Sequence, residues 1–213
     1  MKNKKIKFLL VFVIFNLMSS WLWVGVKNKV LFQIKKTDFY QLKSQSRLYE
    51  VNTLQGEASR AGVGLLGRLA VNKYSWPGKD FLTRAAESFD FHFLFIEGDL
   101  NLKKSTRTAG PILLFFFPMI VYGFVCLSSK QRILLLIGLL CLSSLGAFME
   151  PHFETTSRLP LILALNSLAA WGLVLFFSSP AKKGVKALYS LLLFWEFFRF
   201  VHDFYLHYPG RSF

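Results

Sequence analysis

Long apolar runs separated by short polar segments are the dominant pattern along the chain. A helix of roughly 20 apolar residues crosses the hydrocarbon core of a bilayer. Runs of this kind predict spans at 8–26, 110–127, 133–149, 159–177 and 186–204. In the second span we expect Pro111 in the first turn and a kink at Pro118. The pattern predicts an all-α membrane protein of about five transmembrane helices, with a long mixed loop containing surface helices between the first two.

The first apolar run admits a second interpretation, because a lysine-rich segment, residues 2–7, precedes it as in a secretory signal peptide. The run is longer than a typical signal core, and no A-x-A-like cleavage site follows it. Trp21 and Trp23 also suit the aromatic belt at a membrane interface. We therefore expect an uncleaved anchor.

The distribution of lysine and arginine predicts the orientation. Nine basic residues fall in the short segments 1–7, 128–132 and 178–186, against two in 150–158 and 206–213. Basic loops stay in the cytoplasm. We therefore expect a protein of the inner (cytoplasmic) membrane with a cytoplasmic tip and anchor at 1–26, an extracytoplasmic loop domain at 27–109 and a four-helix transmembrane bundle at 110–213. The net charge of +14 reflects basic residues that cluster in loops beside the spans, so no nucleic-acid partner is expected.

The long loop has its own local patterns. Residues 30–55 alternate apolar and polar positions over short runs, which predicts extended structure. Residues 57–71 suit a helix weakened by glycines. Pro77-Gly78 predicts a turn.

An aromatic stripe follows that turn. Phe81, Ala85, Phe89 and Phe93 recur every four residues and predict an amphipathic helix. This helix either lies on the outer membrane surface or packs on the core of the loop.

Ionisable groups cluster in the predicted outer turn "EPHFETTSRLP", residues 150–160. A solvated hairpin is one interpretation. Arg158, however, directly precedes a span and is expected at headgroup depth, where a guanidinium can bind a phosphate bidentately. In the last span, Glu196, Arg199 and Asp203 share a helix face, so they either pair with one another or line an outer cavity together with Arg158.

Other reactive side chains carry weaker patterns. His202 and His207 are five residues apart, which does not favour a metal site, and Cys126 and Cys141 are expected to be packing residues without a disulfide. The chain has no P-loop, G-x-S-x-G or HExxH motif. We predict no catalytic residue, metal or cofactor.

Residues 72–127 resemble one region of the C-superfamily (GT-C) membrane glycosyltransferases, which include the protein mannosyltransferases and the aminoarabinose transferase of lipid A. The pair Asn72-Lys73, an aromatic-rich helix, the stretch "FLFIEGD" at 93–99, a basic run and Gly110 follow in the order seen in that family. The turn at 150–158 and the tail "FYLHYPGRSF" are also similar to the family, so the resemblance covers the chain from about residue 70 to its end.

The resemblance implies transfer of a sugar from a polyprenyl-phosphate carrier at the outer face of the membrane. In that family a bundle of many spans precedes the matched region, and an acidic residue in the first outer loop serves as base or metal partner. Here a single predicted span precedes it, and Lys27, Asn28 and Lys29 follow that span. The chain therefore resembles the C-terminal half alone, and we expect no catalysis by this chain on its own.

Three functional hypotheses follow. In the first, the protein binds a lipid-linked phosphate, such as polyprenyl phosphate, or a partner membrane protein. Arg158, Arg199, His152 and Lys73 are its candidate phosphate contacts. The second is a structural or accessory subunit of a larger membrane complex, and the third is an active membrane glycosyltransferase.

Overall fold

A computed structural model describes residues 2–27, 45–62, 72, 75–99, 105–149, 155 and 157–208. Within these ranges the chain forms helices and turns, without a strand. The α-helices are α1 (Lys2–Met18), α2 (Ser20–Lys27), α3 (Gln45–Arg60), α4 (Ser75–Glu87), α5 (Phe117–Val125), α6 (Ser129–Met149), α7 (Leu159–Ser178) and α8 (Lys183–Leu206). A π-helical turn at His92–Ile96 and a 3₁₀ turn at Leu114–Phe116 complete the set.

Two of the described helices are long and apolar enough to cross a membrane, namely α6 over Ser129–Phe148 and α7 over Leu159–Ser178. The bent pair formed by α1 and α2 makes a third if it counts as one span. The third and fourth predicted spans are therefore confirmed as candidate spans. α8 contains the predicted fifth span and has 24 residues. Because of its ionisable groups, it is not among the helices that are apolar enough to cross a membrane. The five-span count stays a prediction.

The second predicted span is wrong as one continuous helix. Only Leu114–Val125 is helical, and this stretch falls short of the length of a span. Pro111 lies before the helix, and Pro118 lies in the first turn of α5 instead of kinking its middle. The first turn accommodates proline because its missing N–H has no intrahelical acceptor there.

α7 is the central helix of the bundle. It packs most closely against α5, then against α1, and also contacts α6. Glycines let α5 and α7 approach closely: a Cβ atom at Gly123 would lie 2.6 Å from the Leu168 carbonyl oxygen, and one at Gly172 would lie 2.0 Å from that of Met119. The two free cysteines, Cys126 and Cys141, are exposed, so the expectation that they are packing residues is wrong.

The outer-loop predictions are partly wrong. Gln45–Arg60 is a helix, not extended structure. The spacing of Leu48, Val51 and Leu54 fits a helical repeat, and this repeat outweighs the short alternation seen in the sequence. The rest of the predicted strand region, 30–44, and most of the predicted helix at 57–71 lie outside the described residues.

The predicted turn at Pro77-Gly78 is also wrong, because both residues lie in the first turn of α4. Asn72 and Ser75 cap this helix reciprocally: the Ser75 N–H donates to Asn72 Oδ1 at 2.8 Å, and the Asn72 N–H donates to Ser75 Oγ at 3.0 Å. The helix packs against α6, with the Phe81 and Phe148 ring centroids 4.5 Å apart.

The predicted aromatic stripe is therefore cut short. α4 ends at Glu87, so Phe89 lies in a turn and Phe93 in the π-helical turn.

Candidate functional site

Arg158, the strongest candidate from the sequence, is enclosed by protein. Its side chain is buried, with 2% of the residue exposed. Nε donates to Ser88 Oγ at 2.9 Å, and Nη2 lies 3.4 Å from the Arg84 carbonyl oxygen. The guanidinium carbon lies 5.3 Å from the centroid of the Phe93 ring. Arg158 therefore joins the start of α7 to the end of α4.

Of the other three predicted phosphate contacts, one lies within the described residues. Arg199 is exposed on α8. His152 and Lys73 lie outside the described residues. Phosphate binding by these four residues stays a prediction.

The carboxylates of α8 accept hydrogen bonds from the segment that precedes α5. The predicted pairing of Glu196 and Asp203 with Arg199 along the helix stays a prediction. Glu196 is buried, and its carboxylate accepts the N–H groups of Leu114 at 2.6 Å and Phe115 at 2.8 Å. Asp203 accepts a hydrogen bond from the hydroxyl of Thr108. A negative group at a helix N-terminus satisfies N–H donors that lack an intrahelical acceptor. Glu196 therefore caps the 3₁₀ turn that leads into α5.

A hydrogen bond between Asp99 and Thr155 connects two further segments of the chain. Asp99 is buried and accepts the backbone N–H of Thr155 at 3.0 Å. This contact joins the segment after the π-helical turn to the loop between α6 and α7. Both segments were predicted to be extracytoplasmic, and that orientation stays a prediction.

A groove runs between the bent α1–α2 pair and α8, with a volume of about 560 Å³. α1 contributes Ile14, Leu17 and Met18, and α8 contributes Phe197 and Phe204. The lining is apolar except at one end. The sequence analysis did not predict this groove.

Lys27, the last residue of α2, is the one charged residue among the described residues that line the groove. Its Nζ lies 5.1 Å from the centroid of the Phe204 ring and 4.8 Å from that of Tyr208. Aromatic faces attract an ammonium electrostatically. The cation is thereby held at the groove end that is predicted to face the outer leaflet.

Trp23 lines the groove and packs against α8. Its ring packs edge-on against four aromatic rings of α8, with centroid distances of 5.8 Å to Phe204 and 6.1 Å to Phe197. Its indole Nε1 donates to the Leu17 carbonyl at 2.6 Å. Trp23 thus packs on α8, although the sequence suggested an aromatic belt at the interface.

A small polar cluster lies beside the groove at the break between α1 and α2. The Asn166 amide Nδ2 donates to Asn16 Oδ1 at 3.2 Å and to Ser19 Oγ at 3.0 Å. Asn166 and Ser19 are fully buried. The cluster therefore connects the broken helix pair to the central helix α7.

Metal-binding chemistry finds little support in the described part of the chain, which contains no group of three or more His, Cys, Asp or Glu side chains able to hold an ion. The chain matches no family model, no curated protein and no solved structure. The apolar helices make this a helical protein that could be membrane-embedded. The resemblance to C-superfamily glycosyltransferases stays a prediction.

Proposed function

We propose that the protein is a multi-pass membrane protein that binds a lipid-linked phosphate in the groove between α1–α2 and α8, without transferring a sugar itself. The observation that carries the proposal is the groove: its described lining is apolar along the walls and includes one cation, Lys27, at one end. An elongated apolar tail with one anionic head has the complementary shape and charge. Polyprenyl phosphate, which the sequence resemblance suggests, is such a molecule.

The apolar tail and the anionic head of such a ligand contribute different amounts to the binding free energy. Each buried methylene of a lipid tail contributes about 0.8 kcal/mol. A lysine near an anionic headgroup adds about 1 kcal/mol. Affinity then comes chiefly from the apolar walls, and Lys27 selects the charged head.

We assign the phosphate to Lys27 in preference to Arg158 because of their surroundings. The Lys27 side chain is exposed at the groove end. The Arg158 guanidinium is enclosed between Ser88, the Arg84 carbonyl and the Phe93 ring. A phosphate would have to displace these contacts to reach Arg158.

Three carboxylates of the described residues support a proposal without sugar transfer. Glycosyl transfer needs a carboxylate or an equivalent base held at the acceptor. Asp99, Glu196 and Asp203 each accept a hydrogen bond from a neighbouring segment. These contacts favour structural roles for all three.

A binding assay tests the proposal directly. The purified protein in uncharged nanodiscs is titrated with undecaprenyl phosphate, with undecaprenol and with phosphatidylglycerol. We expect Lys27→Ala to weaken the binding of undecaprenyl phosphate about fivefold. This factor corresponds to a loss of about 1 kcal/mol in binding free energy. Undecaprenol binding should be unchanged by this substitution, because the alcohol has no charge.

Lys130→Ala is the matched control, since Lys130 is an exposed lysine near the start of α6, remote from the lining of the groove. Equal affinities of the wild type and Lys27→Ala for undecaprenyl phosphate would refute the assignment. Equal Lys27-dependent binding of phosphatidylglycerol would show that the groove recognises lipid phosphates in general, whereas weaker binding of that lipid would favour the isoprenoid tail.

An accessory subunit is a second candidate function, and one observation favours it. Of the 18-residue apolar stretch of α6, 17% is buried inside the protein, whereas the corresponding share in α7 is 50%. Most of α6 is therefore free to contact lipid or another membrane helix. If α6 docks on a partner, Leu134→Trp and Leu140→Trp should each release a stoichiometric partner that copurifies in mild detergent. Retention of the partner by both variants would count against docking through this face.

A further inference from the structure

We propose that Asn166 is a positioning residue for the groove: together with Asn16 and Ser19 it fixes the bend between α1 and α2. The inference rests on the proposed lipid-binding role of the groove and adds how the groove obtains its shape. The bend is 56° and falls at Ser19, within an apolar run that the sequence presents as unbroken.

The side chains of this cluster bond the backbone on the α1 side of the break. The Ser19 N–H bonds the Asn16 carbonyl in a tighter turn, and the Ser19 hydroxyl donates to the Phe15 carbonyl at 2.8 Å. The Asn16 amide donates to the Phe12 carbonyl at 2.8 Å. Backbone polar groups at membrane depth need protein partners because lipid supplies none. The polar side chains thus make a helix break tolerable at this depth.

Asn166 attaches that arrangement to the core. Its Nδ2 reaches both Asn16 Oδ1 and Ser19 Oγ, so one amide of α7 bonds two polar side chains at the break. A third, Ser20, donates to the Gly110 carbonyl oxygen at 2.6 Å. Asn166 is 0% exposed, so no water from outside the protein competes for these bonds. Polar bonds between helices within a membrane fix how the helices sit against each other. Loss of the amide removes the polar link between the bend and α7.

The groove spans the break, which makes its shape depend on the bend. Ile14, Leu17 and Met18 line it from α1, and Trp23 and Lys27 line it from α2. α2 has eight residues, so at 1.5 Å per residue its end lies about 12 Å beyond the break.

Straightening a 56° bend would move that end by about 11 Å. This displacement exceeds the distances of 5.1 Å and 4.8 Å that join Lys27 Nζ to the Phe204 and Tyr208 rings. The bend therefore determines whether Lys27 stands at the end of the groove.

The test combines a distance with an affinity. In protein whose two cysteines are replaced by alanine, spin labels at Val26 and Leu206, both exposed, report the separation of α2 from the end of α8. Undecaprenyl phosphate binding is measured in the unlabelled protein. The variants are Asn166→Leu, which has a similar volume without hydrogen bonds, and the milder Ser19→Ala. Ser167→Ala is the matched control, since the Ser167 hydroxyl bonds the Leu163 carbonyl of its own helix.

We expect Asn166→Leu to shift the label separation by several ångströms, towards the displacement of about 11 Å. It should also weaken the binding of undecaprenyl phosphate about fivefold, because Lys27 no longer reaches the phosphate. Ser19→Ala should shift both readouts in the same direction, and Ser167→Ala should leave both unchanged. An unchanged label separation in Asn166→Leu and in Ser19→Ala would overturn the inference. If Asn166→Leu does not fold, Ser19→Ala decides. If the wild type binds no lipid phosphate, the proposed function fails, and the label separation still decides whether Asn166 holds the bend.

Discussion

The close approach of α5 and α7 gives the sharpest stability prediction. A Cβ atom at Gly172 would lie 2.0 Å from the Met119 carbonyl oxygen, whereas ordinary van der Waals contact begins near 3.4 Å. The obstructing atom belongs to the backbone of a packed helix and cannot rotate away. Gly172→Ala therefore requires the two helices to separate by about 1.4 Å along that contact, and this strains the tightest interface of the bundle.

Overpacking of this kind costs about 1–3 kcal/mol, and a backbone obstruction belongs at the upper end of that range. For a chain of this size, a loss of about 3 kcal/mol lowers the midpoint of thermal unfolding of Gly172→Ala by about 6–12 °C. Gly123→Ala should show a smaller loss, because its Cβ would lie 2.6 Å from the nearest atom, the Leu168 carbonyl oxygen. The assay is thermal unfolding in a fixed detergent, followed by circular dichroism.

Gly138→Ala supplies the matched control. Gly138 lies in the middle of α6, and a Cβ atom there would meet nothing within 4 Å. Alanine is favoured over glycine inside helices by up to about 1 kcal/mol, so this variant should be as stable as the wild type or more stable. Refutation would be a Gly172→Ala protein as stable as the wild type, or an equal loss in Gly138→Ala.

Two further predictions follow from the buried polar contacts. Arg158→Ala should destabilise the protein by about 1.5–3 kcal/mol, because it removes the hydrogen bonds of a charged group to α4 and the following turn, whereas the exposed Arg199→Ala should change stability by less than about 0.5 kcal/mol. Equal losses in chemical unfolding would contradict the enclosed position of Arg158. Glu196→Leu should leave the N–H groups of Leu114 and Phe115 without an acceptor, costing about 1–3 kcal/mol, and should speed their amide exchange, with Glu196→Gln in between. Unaltered exchange at both amides would show that the cap does not hold the turn.

Hydropathy was sufficient to predict α6 and α7, because each is a single uninterrupted helix whose length matches a membrane. The same reasoning failed at 110–127. There the polar backbone of the segment before α5 is satisfied by Glu196, which lies 82 residues from Leu114 in the chain. A window of neighbouring residues carries no information on such a partner, so the apolar run was interpreted as a helix throughout.

The candidate site was harder to predict for a related reason. The groove exists because α1 and α2 meet at an angle, and the break is stabilised by Asn166, a residue 147 positions away from Ser19. Arg158 was correctly identified as unusual, but its burial depends on Ser88 and Arg84, which belong to a different segment. Lys27 entered the sequence analysis as a departure from a family pattern, and its two aromatic neighbours lie at the far end of the chain.

The bond between Asn16 and Asn166 has a consequence for biogenesis. The two residues are separated by 150 positions. At ribosomal speeds of about 5–20 residues per second, α1 emerges roughly 8–30 s before the helix that carries its amide partner. During that interval Asn16 and Ser19 have only their backbone acceptors, the Phe12 and Phe15 carbonyls, within α1. The tie between the broken N-terminal helix and α7 can therefore form only after most of the chain has been synthesised.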